Sequence, residues 1–211
     1  MKPVDGVIFD MDGVIVESEH LWEESWAASC SRRDTAWSLD DTSACQGMSS
    51  PEWAAYLARK IGDPDLAPTV RDECVAYVVD AVENGRAPLL PGAPDLVAEA
   101  GSRLACALAS SAALPVIHAV LDYWELDHFD AIVSSEEVAR GKPSPDVYLE
   151  AARRIELDPA GGIAVEDSGN GIRAASAAGL HVVAVPNRDY PPPADALALA
   201  DHVVTDAGEA L

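Results

Sequence analysis

Residues 4–14 read VDGVIFDMDGV, and the rest of the chain is organised around this stretch. The apolar run at residues 7–9 is too short for a helix and rich in β-branched side chains, which predicts a buried parallel strand that ends before Gly13. Asp10 and Asp12 lie two residues apart, so on an extended backbone both side chains point to the same side. Two carboxylates crowded in this way require a cation.

Such a pair of carboxylates suits phosphoryl transfer. One carboxylate attacks phosphorus and passes through an aspartyl-phosphate, while the second donates and then removes a proton. Two other interpretations of DxDG remain open at this point. One is an Asp-Gly turn after a strand, and the other is a calcium-binding loop, which also uses alternating Asp residues.

The composition limits the class of protein. The chain has 211 residues, 49% hydrophobic and 24% charged, which fits a globular core domain that carries a smaller inserted domain. Its net charge of -22 opposes binding to nucleic acid or anionic lipid. No window approaches the ~20 apolar residues of a membrane span, and the first residues lack a signal-peptide pattern. We therefore expect a cytoplasmic protein with no nucleic-acid partner and no membrane partner, and with free cysteines, since CxxC spacing is absent.

Two kinds of hydrophobic pattern divide the chain. Residues 17–88 show helical periodicity without a strand-like run, which predicts an all-helical cap domain. Alternating strands and helices follow, with strands predicted over 104–109, 131–133, 162–165, 182–185 and 202–204 and helices over 93–100, 114–121, 145–155 and 171–178. Alternation of this kind predicts a parallel sheet covered on both faces. We predict a doubly wound, Rossmann-like α/β core from residues 1–16 and 89–211, with the helical cap inserted.

Two segments offer groups that bind phosphate. Ser110 and Ser111 follow the predicted strand 104–109 and offer hydroxyl and backbone N–H donors, although Ser111 is an equally good N-cap for the helix near residue 114. Lys142 lies between a glycine and a proline, so the backbone around its ammonium is stiff. In a chain with only 14 lysines and arginines, we expect Lys142 to neutralise charge at the site.

A second pair of acids, Glu166 and Asp167, follows the predicted strand 162–165. Carboxylate oxygens are the ligands that Mg²⁺ prefers, together with water and phosphate. An N-cap role for Asp167 or Ser168 explains one polar residue but not the acidic pair. Because ligands of doubly wound sheets bind at the carboxyl ends of the strands, we expect these acids to lie near Asp10.

In this order, DMDG, ALASS, GKPSPDVY and VEDSGNGI resemble motifs I to IV of the haloacid dehalogenase (HAD) superfamily. The resemblance implies an Mg²⁺-dependent enzyme in which Asp10 is the nucleophile and Asp12 the general acid and base. It also implies that Glu166 is either a metal ligand or a residue that orients one. The implied metal-binding set is Asp10, Asp12, Asp167 and Glu166, and the implied phosphate-binding set is Ser110, Ser111 and Lys142.

The helical insertion after the first motif resembles the C1 cap of subfamily I, close to the group of β-phosphoglucomutase and sugar-phosphate phosphatases. Asp12 favours phosphoryl chemistry, because haloacid dehalogenases lack this residue and their leaving halide needs no proton. Phosphonatases use a cap lysine as a Schiff base, but Lys60 lies in the context of a helix end.

The choice between phosphatase and mutase depends on cap cations. β-Phosphoglucomutase-like sequences carry an Arg after a GVS-type stretch, whereas here Gly47-Met48-Ser49 is followed by Ser50. The segment ESEHLW at residues 17–22 resembles the DSEPLW-type segment of sugar-phosphate phosphatases. The cap contains six cations, and all of them lie outside the segment where a second phosphate would be held. They are Arg32, Arg33, Arg59, Lys60, Arg71 and Arg86.

Five cap residues are candidate substrate contacts: His20, Trp22, Gln46, Met48 and Trp53. Trp22 and Trp53 at helical spacing also fit a hydrophobic core, and His20 also fits a surface position. We predict a phosphatase of a small phosphorylated metabolite, a sugar phosphate, acting as a monomer or weak homodimer. The alternatives are a phosphosugar mutase and, less favoured, a non-catalytic interaction module, which would not need a nucleophile.

Overall fold

The computed structural model describes residues 4–187 and 190–209. The strands are β1 (Gly6–Phe9), β2 (Ala105–Ser110), β3 (Ala131–Ser134), β4 (Gly162–Glu166), β5 (His181–Ala184) and β6 (His202–Val203). The helices are α1 (Glu19–Ser31), α2 (Leu39–Cys45), α3 (Ser50–Ile61), α4 (Ala67–Glu83), α5 (Ala93–Gly101), α6 (Leu114–Tyr123), α7 (Asp146–Arg154), α8 (Gly169–Ala178) and α9 (Ala194–Leu197). We call α1 to α4 the cap helices.

The strands form one parallel sheet in the order β3-β2-β1-β4-β5-β6. The predicted doubly wound α/β fold is confirmed. β1 lies between β2 and β4, so the chain builds the sheet outward on one side and then crosses to the other. This change of direction is the switch point at which doubly wound sheets bind ligands. Phe9 pairs with Leu108 and with Val165, which brings Asp10 level with Glu166.

Alternation along β1 divides the hydrophobic core into two layers. Val7 and Phe9 face the layer that includes the cap helices, α5 and α6, while Ile8 faces the layer under α7 and α8. The continuous apolar run of this strand follows from burial on both faces. Because one layer extends from the sheet into the cap helices, the two parts of the chain share a hydrophobic core.

α4 contacts α1 and α3 within the cap and α6 outside it. Trp22, Trp26 and Trp53 form a cluster with ring centroids 5.7 to 6.2 Å apart. The segment that leads from the sheet into the cap helices lies beside the segment that returns from them, since Glu17 N–H donates to the Pro88 carbonyl at 2.9 Å.

The structure differs from the sequence expectations in small ways. Most strand and helix limits shift by one or two residues, and α2 and α9 were not predicted. All four cysteines are buried and free. Among residues 4–187 and 190–209, no helix combines the length and hydropathy needed to cross a membrane.

Candidate active site

A cavity of about 230 Å³ lies where the carboxyl ends of β1 and β4 meet the cap helices. From the strand ends it is lined by Asp10, Asp12, Lys142 and Asp167. Residues of the cap helices and of the loop at residues 46–48 close it from the other side. The acids and the lysine that the sequence singled out are therefore brought together in one cavity.

Lys142 is the charge at the centre of this arrangement. Its side chain is buried, and its Nζ lies 2.9 Å from Asp10 Oδ1 and 2.7 Å from Glu166 Oε1. The ammonium also lies 5.0 Å from the centre of the Tyr148 ring. Burial disfavours the charged form, but the charges of Asp10 and Glu166 outweigh burial and raise the pKa of Lys142. A buried cation fixed in this way holds the Asp10 carboxylate in place.

Asp12 has a separate set of partners. Its Oδ1 accepts hydrogen bonds from the Ser18 hydroxyl and, at 3.2 Å, from the Trp22 indole N–H. Its Oδ2 lies 3.4 Å from the Ser110 hydroxyl. Burial raises the pKa of Asp12, and these hydrogen bonds oppose the rise. The two carboxyls of the first motif therefore sit in different environments, as a nucleophile and an acid would require.

Glu166 is completely buried and fully hydrogen-bonded. Its Oε1 accepts from Lys142 and from the Tyr148 hydroxyl at 2.8 Å. Its Oε2 accepts from the backbone N–H groups of Asp167 and Ser168, each at 3.0 Å, and from the Ser168 hydroxyl at 3.1 Å. Five donors on one carboxylate suit a residue that orients its neighbours better than one that ligates a cation.

Asp167 has the opposite character. It is buried, yet no residue within the described ranges donates a hydrogen bond to its carboxylate. Burial raises the pKa of Asp167 well above its usual range, and the charge of Glu166 raises it further. An ionised carboxylate is costly to bury without a partner, so this position is suited to a cation. One carboxylate oxygen each of Asp10, Glu166 and Asp167 lies within 4.8 Å of the others. Because Glu166 is already fully hydrogen-bonded, the hard oxygen atoms of Asp10 and Asp167 are the ones that fit a divalent cation.

Two glycines make room for these acids. Gly13 has a φ of +76°, and a Cβ built there would lie 1.9 Å from Asp167 Oδ2. A Cβ on Gly171 would lie 1.6 Å from Glu166 Oε1. The glycines of the first and last motifs are therefore required by the close approach of a carboxylate, and at Gly13 also by the left-handed backbone.

The nucleophile candidate Asp10 is 6% exposed. Burial raises its pKa to about 7, with Lys142 opposing the rise and Glu166 and Asp12 adding to it. The residues around the cavity include five carboxyl groups, those of Asp10, Asp12, Glu19, Glu166 and Asp167, which face the single ammonium of Lys142. This excess of negative charge is a second reason to expect a bound cation.

The two serines at the carboxyl end of β2 have different hydrogen-bond partners. Ser110 is buried beneath the cavity, and its hydroxyl accepts from Ala112 N–H at 3.0 Å. The Ser111 hydroxyl donates to the Gly47 carbonyl at 3.2 Å instead of capping a helix, since the N-cap of α6 is Ala113. Asn170 likewise donates to the Gln46 carbonyl at 3.2 Å. Two strand-end loops thus hold the cap loop at residues 46–48 against the cavity.

The proposed cap contacts divide into two groups. Trp22, Gln46, Met48 and Trp53 line the cavity. Trp22 and Trp53 are also buried in the tryptophan cluster, so each side chain belongs both to the hydrophobic core and to the cavity wall. His20 is not part of the cavity lining, and its Nδ1 lies 2.6 Å from Glu17 Oε2 in a half-exposed pair.

The cap cations are occupied elsewhere or face solvent. Arg32 and Arg33 pair with Glu73, Lys60 with Asp41, Arg71 with Glu136 and Arg86 with Glu24, while Arg59 is exposed. None of the six lines the cavity. Among the described residues, the cationic side chains that line the cavity are Lys142 and Arg173. The Arg173 guanidinium forms an ion pair with the Asp195 carboxylate at 2.6 Å.

Several residues at the site were not predicted. Among them, Tyr148 orients Glu166, Arg173 lines the cavity, and Glu19 lines the cavity at the start of α1. Glu19 lies inside the ESEHLW segment, which marked it as part of a recognisable pattern. Tyr148 is the last residue of the stretch GKPSPDVY and Arg173 directly follows VEDSGNGI, and nothing in their spacing alone indicates a role.

Comparison with known proteins agrees with this geometry. Residues 4–179 match the haloacid dehalogenase-like hydrolase family. The chain belongs to this family. The matched residues include β1 to β4, the cap helices and all four strand-end segments, so the motif resemblance is confirmed.

Two curated HAD relatives come from Escherichia coli (strain K12). Hexitol phosphatase B is 35% identical over 195 residues, covering 88% of this chain and 85% of that protein. Fructose-1-phosphate phosphatase YqaB is 31% identical over 187 residues, covering 85% and 95%. The crystal structure of CbbY from Rhodobacter sphaeroides in complex with phosphate aligns with a TM-score of 0.83 and 27% identity, covering 98% of this chain and 96% of that one.

The Trp22 indole N–H gives a testable consequence for this HAD protein. We expect Trp22→Phe to lower kcat for an alkyl phosphate about tenfold, because the substitution removes one hydrogen bond that holds Asp12. p-Nitrophenyl phosphate should lose less than about threefold, since p-nitrophenolate needs little protonation. Steady-state kinetics on both substrates measures the difference.

Trp124→Phe is the matched control. Its indole N–H donates to the Ala87 carbonyl away from the cavity, so turnover of both substrates should be unchanged. Equal losses on both substrates in Trp22→Phe would show that Trp22 acts through packing and not through Asp12.

Proposed function

We propose that the protein is a phosphatase that hydrolyses a phosphorylated sugar or sugar alcohol through an aspartyl-phosphate on Asp10. The observation that carries this proposal is the separation of the two carboxyls. Asp10 is fixed by Lys142, whereas Asp12 is held by Ser18 and Trp22. Two relatives bear the names of a hexitol phosphatase and a fructose-1-phosphate phosphatase, which supports the substrate class.

In this mechanism Asp10 attacks phosphorus and the bond between phosphorus and the sugar oxygen breaks. Asp12, as the general acid, donates a proton to the departing oxygen. Asp12 then removes a proton from water, whose oxygen attacks phosphorus and releases phosphate and the Asp10 carboxylate. Lys142 and the N–H and hydroxyl groups of Ser110 and Ser111 bind the phosphoryl oxygens.

We propose Mg²⁺ as the cation, held by Asp10 and Asp167 with Asp12 nearby and with Glu166 orienting Lys142 and the loop at residue 167. When bound, the ion neutralises the phosphate and lowers the repulsion between Asp10 and the substrate. The five donors on Glu166 support an orienting role, and the carboxylate of Asp167 supports a ligand.

We further propose that residues 17–88 act as a cap that excludes bulk water from a core formed by residues 1–16 and 89–211. Hydrogen bonds from Ser111 and Asn170 to the cap loop support this role. None of the six cap cations lines the cavity, and this favours hydrolysis over mutase activity. A mutase would need a desolvated cation there to hold the second phosphate of its bisphosphate intermediate.

The test is a product assay with the metal controlled. With Mg²⁺, we expect steady release of phosphate from a panel of hexose, pentose and hexitol phosphates, and loss of activity after EDTA treatment. Ca²⁺ should inhibit, since its looser coordination misplaces the nucleophile. Phosphate release and ³¹P NMR of the sugar products are the measurements.

Two outcomes would contradict the proposal. Full activity after exhaustive EDTA treatment would exclude the cation. Conversion of β-glucose 1-phosphate to glucose 6-phosphate faster than phosphate release, with a bisphosphate primer present, would make the protein a mutase.

A further inference from the structure

We propose that Arg71 of cap helix α4 is a positioning residue whose ion pair with Glu136 holds in place the loop that carries Lys142. We call residues 135–145, which connect β3 to α7, the lysine loop. This inference rests on the proposed function, because it names a residue that acts on the cation facing the phosphoryl group.

The ion pair between Arg71 and Glu136 has a fixed geometry. Arg71 Nε donates to Glu136 Oε1 at 2.9 Å, and Nη2 donates to Oε2 at 2.7 Å. Two parallel hydrogen bonds of this kind fix the direction of both side chains. The side chains are 29% and 17% exposed, so water screens this pair less than it screens the exposed pairs that contribute little to stability.

This pair joins the cap to the rest of the molecule. Among residues 4–187 and 190–209, every other ion pair joins two residues within 17–88 or two residues outside that range. The next residue, Glu137, makes the opposite contact, since its carboxylate accepts from Ser134 N–H and pairs with Arg154 of α7, each at 2.9 Å. Two neighbouring acids therefore tie the start of the lysine loop to the cap and to α7.

The cap also touches the lysine loop directly before Lys142. A Cβ built on Gly141 would lie 2.8 Å from Glu52 Oε2 and 3.0 Å from Ser49 Cβ, two residues that form the capping box of α3. The φ angle of Gly141 is outside the left-handed region, so its backbone does not require a glycine. The glycine is required by the close approach of α3.

Packing alone does not give this contact a direction. α3 also contacts the turn at Ser135–Glu137, which begins the lysine loop. The hydroxyls of Ser50 in α3 and Ser135 in the turn are both buried without a hydrogen-bond partner among the described residues. These hydroxyls do not join the two elements, so the directional contact comes from the fork of Arg71.

The position of the lysine loop matters because Lys142 must be aimed in advance. Its Nζ lies 2.9 Å from Asp10 Oδ1 and 2.7 Å from Glu166 Oε1. A cation stabilises the transition state only when it already points at the position where charge develops. A misplacement of about 1 Å can cost about 10²-fold in rate, so a loop that is held at one end only should turn over substrate more slowly.

The experiment measures kcat for p-nitrophenyl phosphate and for sorbitol 6-phosphate, whose leaving group is an alkoxide. Arg71→Met and Glu136→Gln should each lower kcat about tenfold on both substrates, because Lys142 serves phosphoryl transfer with either leaving group. The double variant should be no slower than either single variant, since both remove the same interaction. Hydrogen–deuterium exchange of the amides of residues 135–145 should be faster in Arg71→Met than in the wild type.

Arg140→Gln is the matched control, since Arg140 belongs to the lysine loop and pairs with Asp146 without reaching the cap. It should leave both rates unchanged. Unchanged kcat in Arg71→Met, a loss confined to sorbitol 6-phosphate, or losses that multiply in the double variant would overturn the role of Arg71 and leave the phosphatase in place. Absence of Mg²⁺-dependent turnover of p-nitrophenyl phosphate by the wild-type protein would instead contradict the proposed function.

Discussion

Asp10→Asn is expected to abolish turnover of every phosphate monoester, with a loss of about 10⁴-fold or more, because an amide cannot attack phosphorus to form an acyl-phosphate. The substitution keeps the shape of the side chain, and Lys142 keeps its ion pair with Glu166, so the fold should be retained. Phosphate release from p-nitrophenyl phosphate and from sorbitol 6-phosphate measures the effect. Because the nucleophile is needed for both leaving groups, the two losses should be equal.

Asp5→Asn provides the control at the other end of the same strand. Asp5 is exposed, and its backbone N–H donates to the Gly161 carbonyl at 2.9 Å, an interaction that the substitution keeps. Its activity should match that of the wild type. If Asp10→Asn retained more than a few per cent of activity, the nucleophile would have to be another group, of which Asp167 is one candidate.

Lys142→Met should have the largest combined effect on stability and activity. The substitution leaves Asp10 and Glu166 buried without their shared cation, and breaking a buried pair in this way costs about 3–5 kcal/mol of unfolding free energy. Activity should fall about 10³-fold, because the site also loses a positive charge that faces the phosphoryl group. Urea unfolding and phosphate release are the measurements.

The stability loss in Lys142→Met should depend on pH. Burial raises the pKa of Asp10 to about 7 against the opposing charge of Lys142, so without the ammonium this pKa rises further. Asp10 then binds its proton more tightly in the folded state than in the unfolded chain, so the stability of the variant falls as pH rises from the unfolded pKa toward the raised folded pKa. The difference in unfolding free energy between Lys142→Met and the wild type should therefore decrease as the pH is lowered from 8 to 5.

Lys60→Met is the matched control for this variant. Lys60 is partly exposed and pairs with Asp41, whose carboxylate also accepts from Ser38 and Tyr56. We expect a cost of about 1 kcal/mol or less and no loss of activity. A Lys142→Met protein as stable as Lys60→Met would show that Lys142 does not compensate two buried carboxylates.

Several features of the fold could be predicted because each rests on a local pattern. The apolar run of β1 is buried on both faces, and strands alternating with helices require a parallel sheet. α2 was missed because its sequence, LDDTSAC, has no apolar period. This helix depends instead on a capping box, in which Ser38 N–H donates to Asp41 at 2.9 Å.

The active site could also be predicted only in part. Asp10, Asp12, Lys142 and Asp167 could be placed at one edge of the sheet because the register of parallel strands brings strand ends together. The partners of each acid could not be predicted, because they depend on packing between distant segments. Trp22 reaches Asp12 only because α1 begins beside β1, and Ser111 reaches Gly47 only because the cap loop lies over β2.

The shared hydrophobic core was also beyond the sequence patterns. Helical periodicity identifies an apolar face on α4, but it does not say that this helix packs against α1, α3 and α6. The sequence also does not show that Glu19 lines the cavity. From its pattern alone, Glu19 is an acid in the first turn of a helix.

The central claim is that the phosphoryl group is carried by Asp10, and trapping of the phosphorylated protein tests it most directly. Asp12→Asn should still transfer phosphate from p-nitrophenyl phosphate, since this leaving group needs little protonation, but it lacks the base that activates water. Acid quenching after milliseconds, followed by proteolysis and mass spectrometry, should give one phosphate on the peptide that contains Asp10. A phosphate found on another residue, or release of p-nitrophenolate with no phosphorylated protein at any time, would contradict the account.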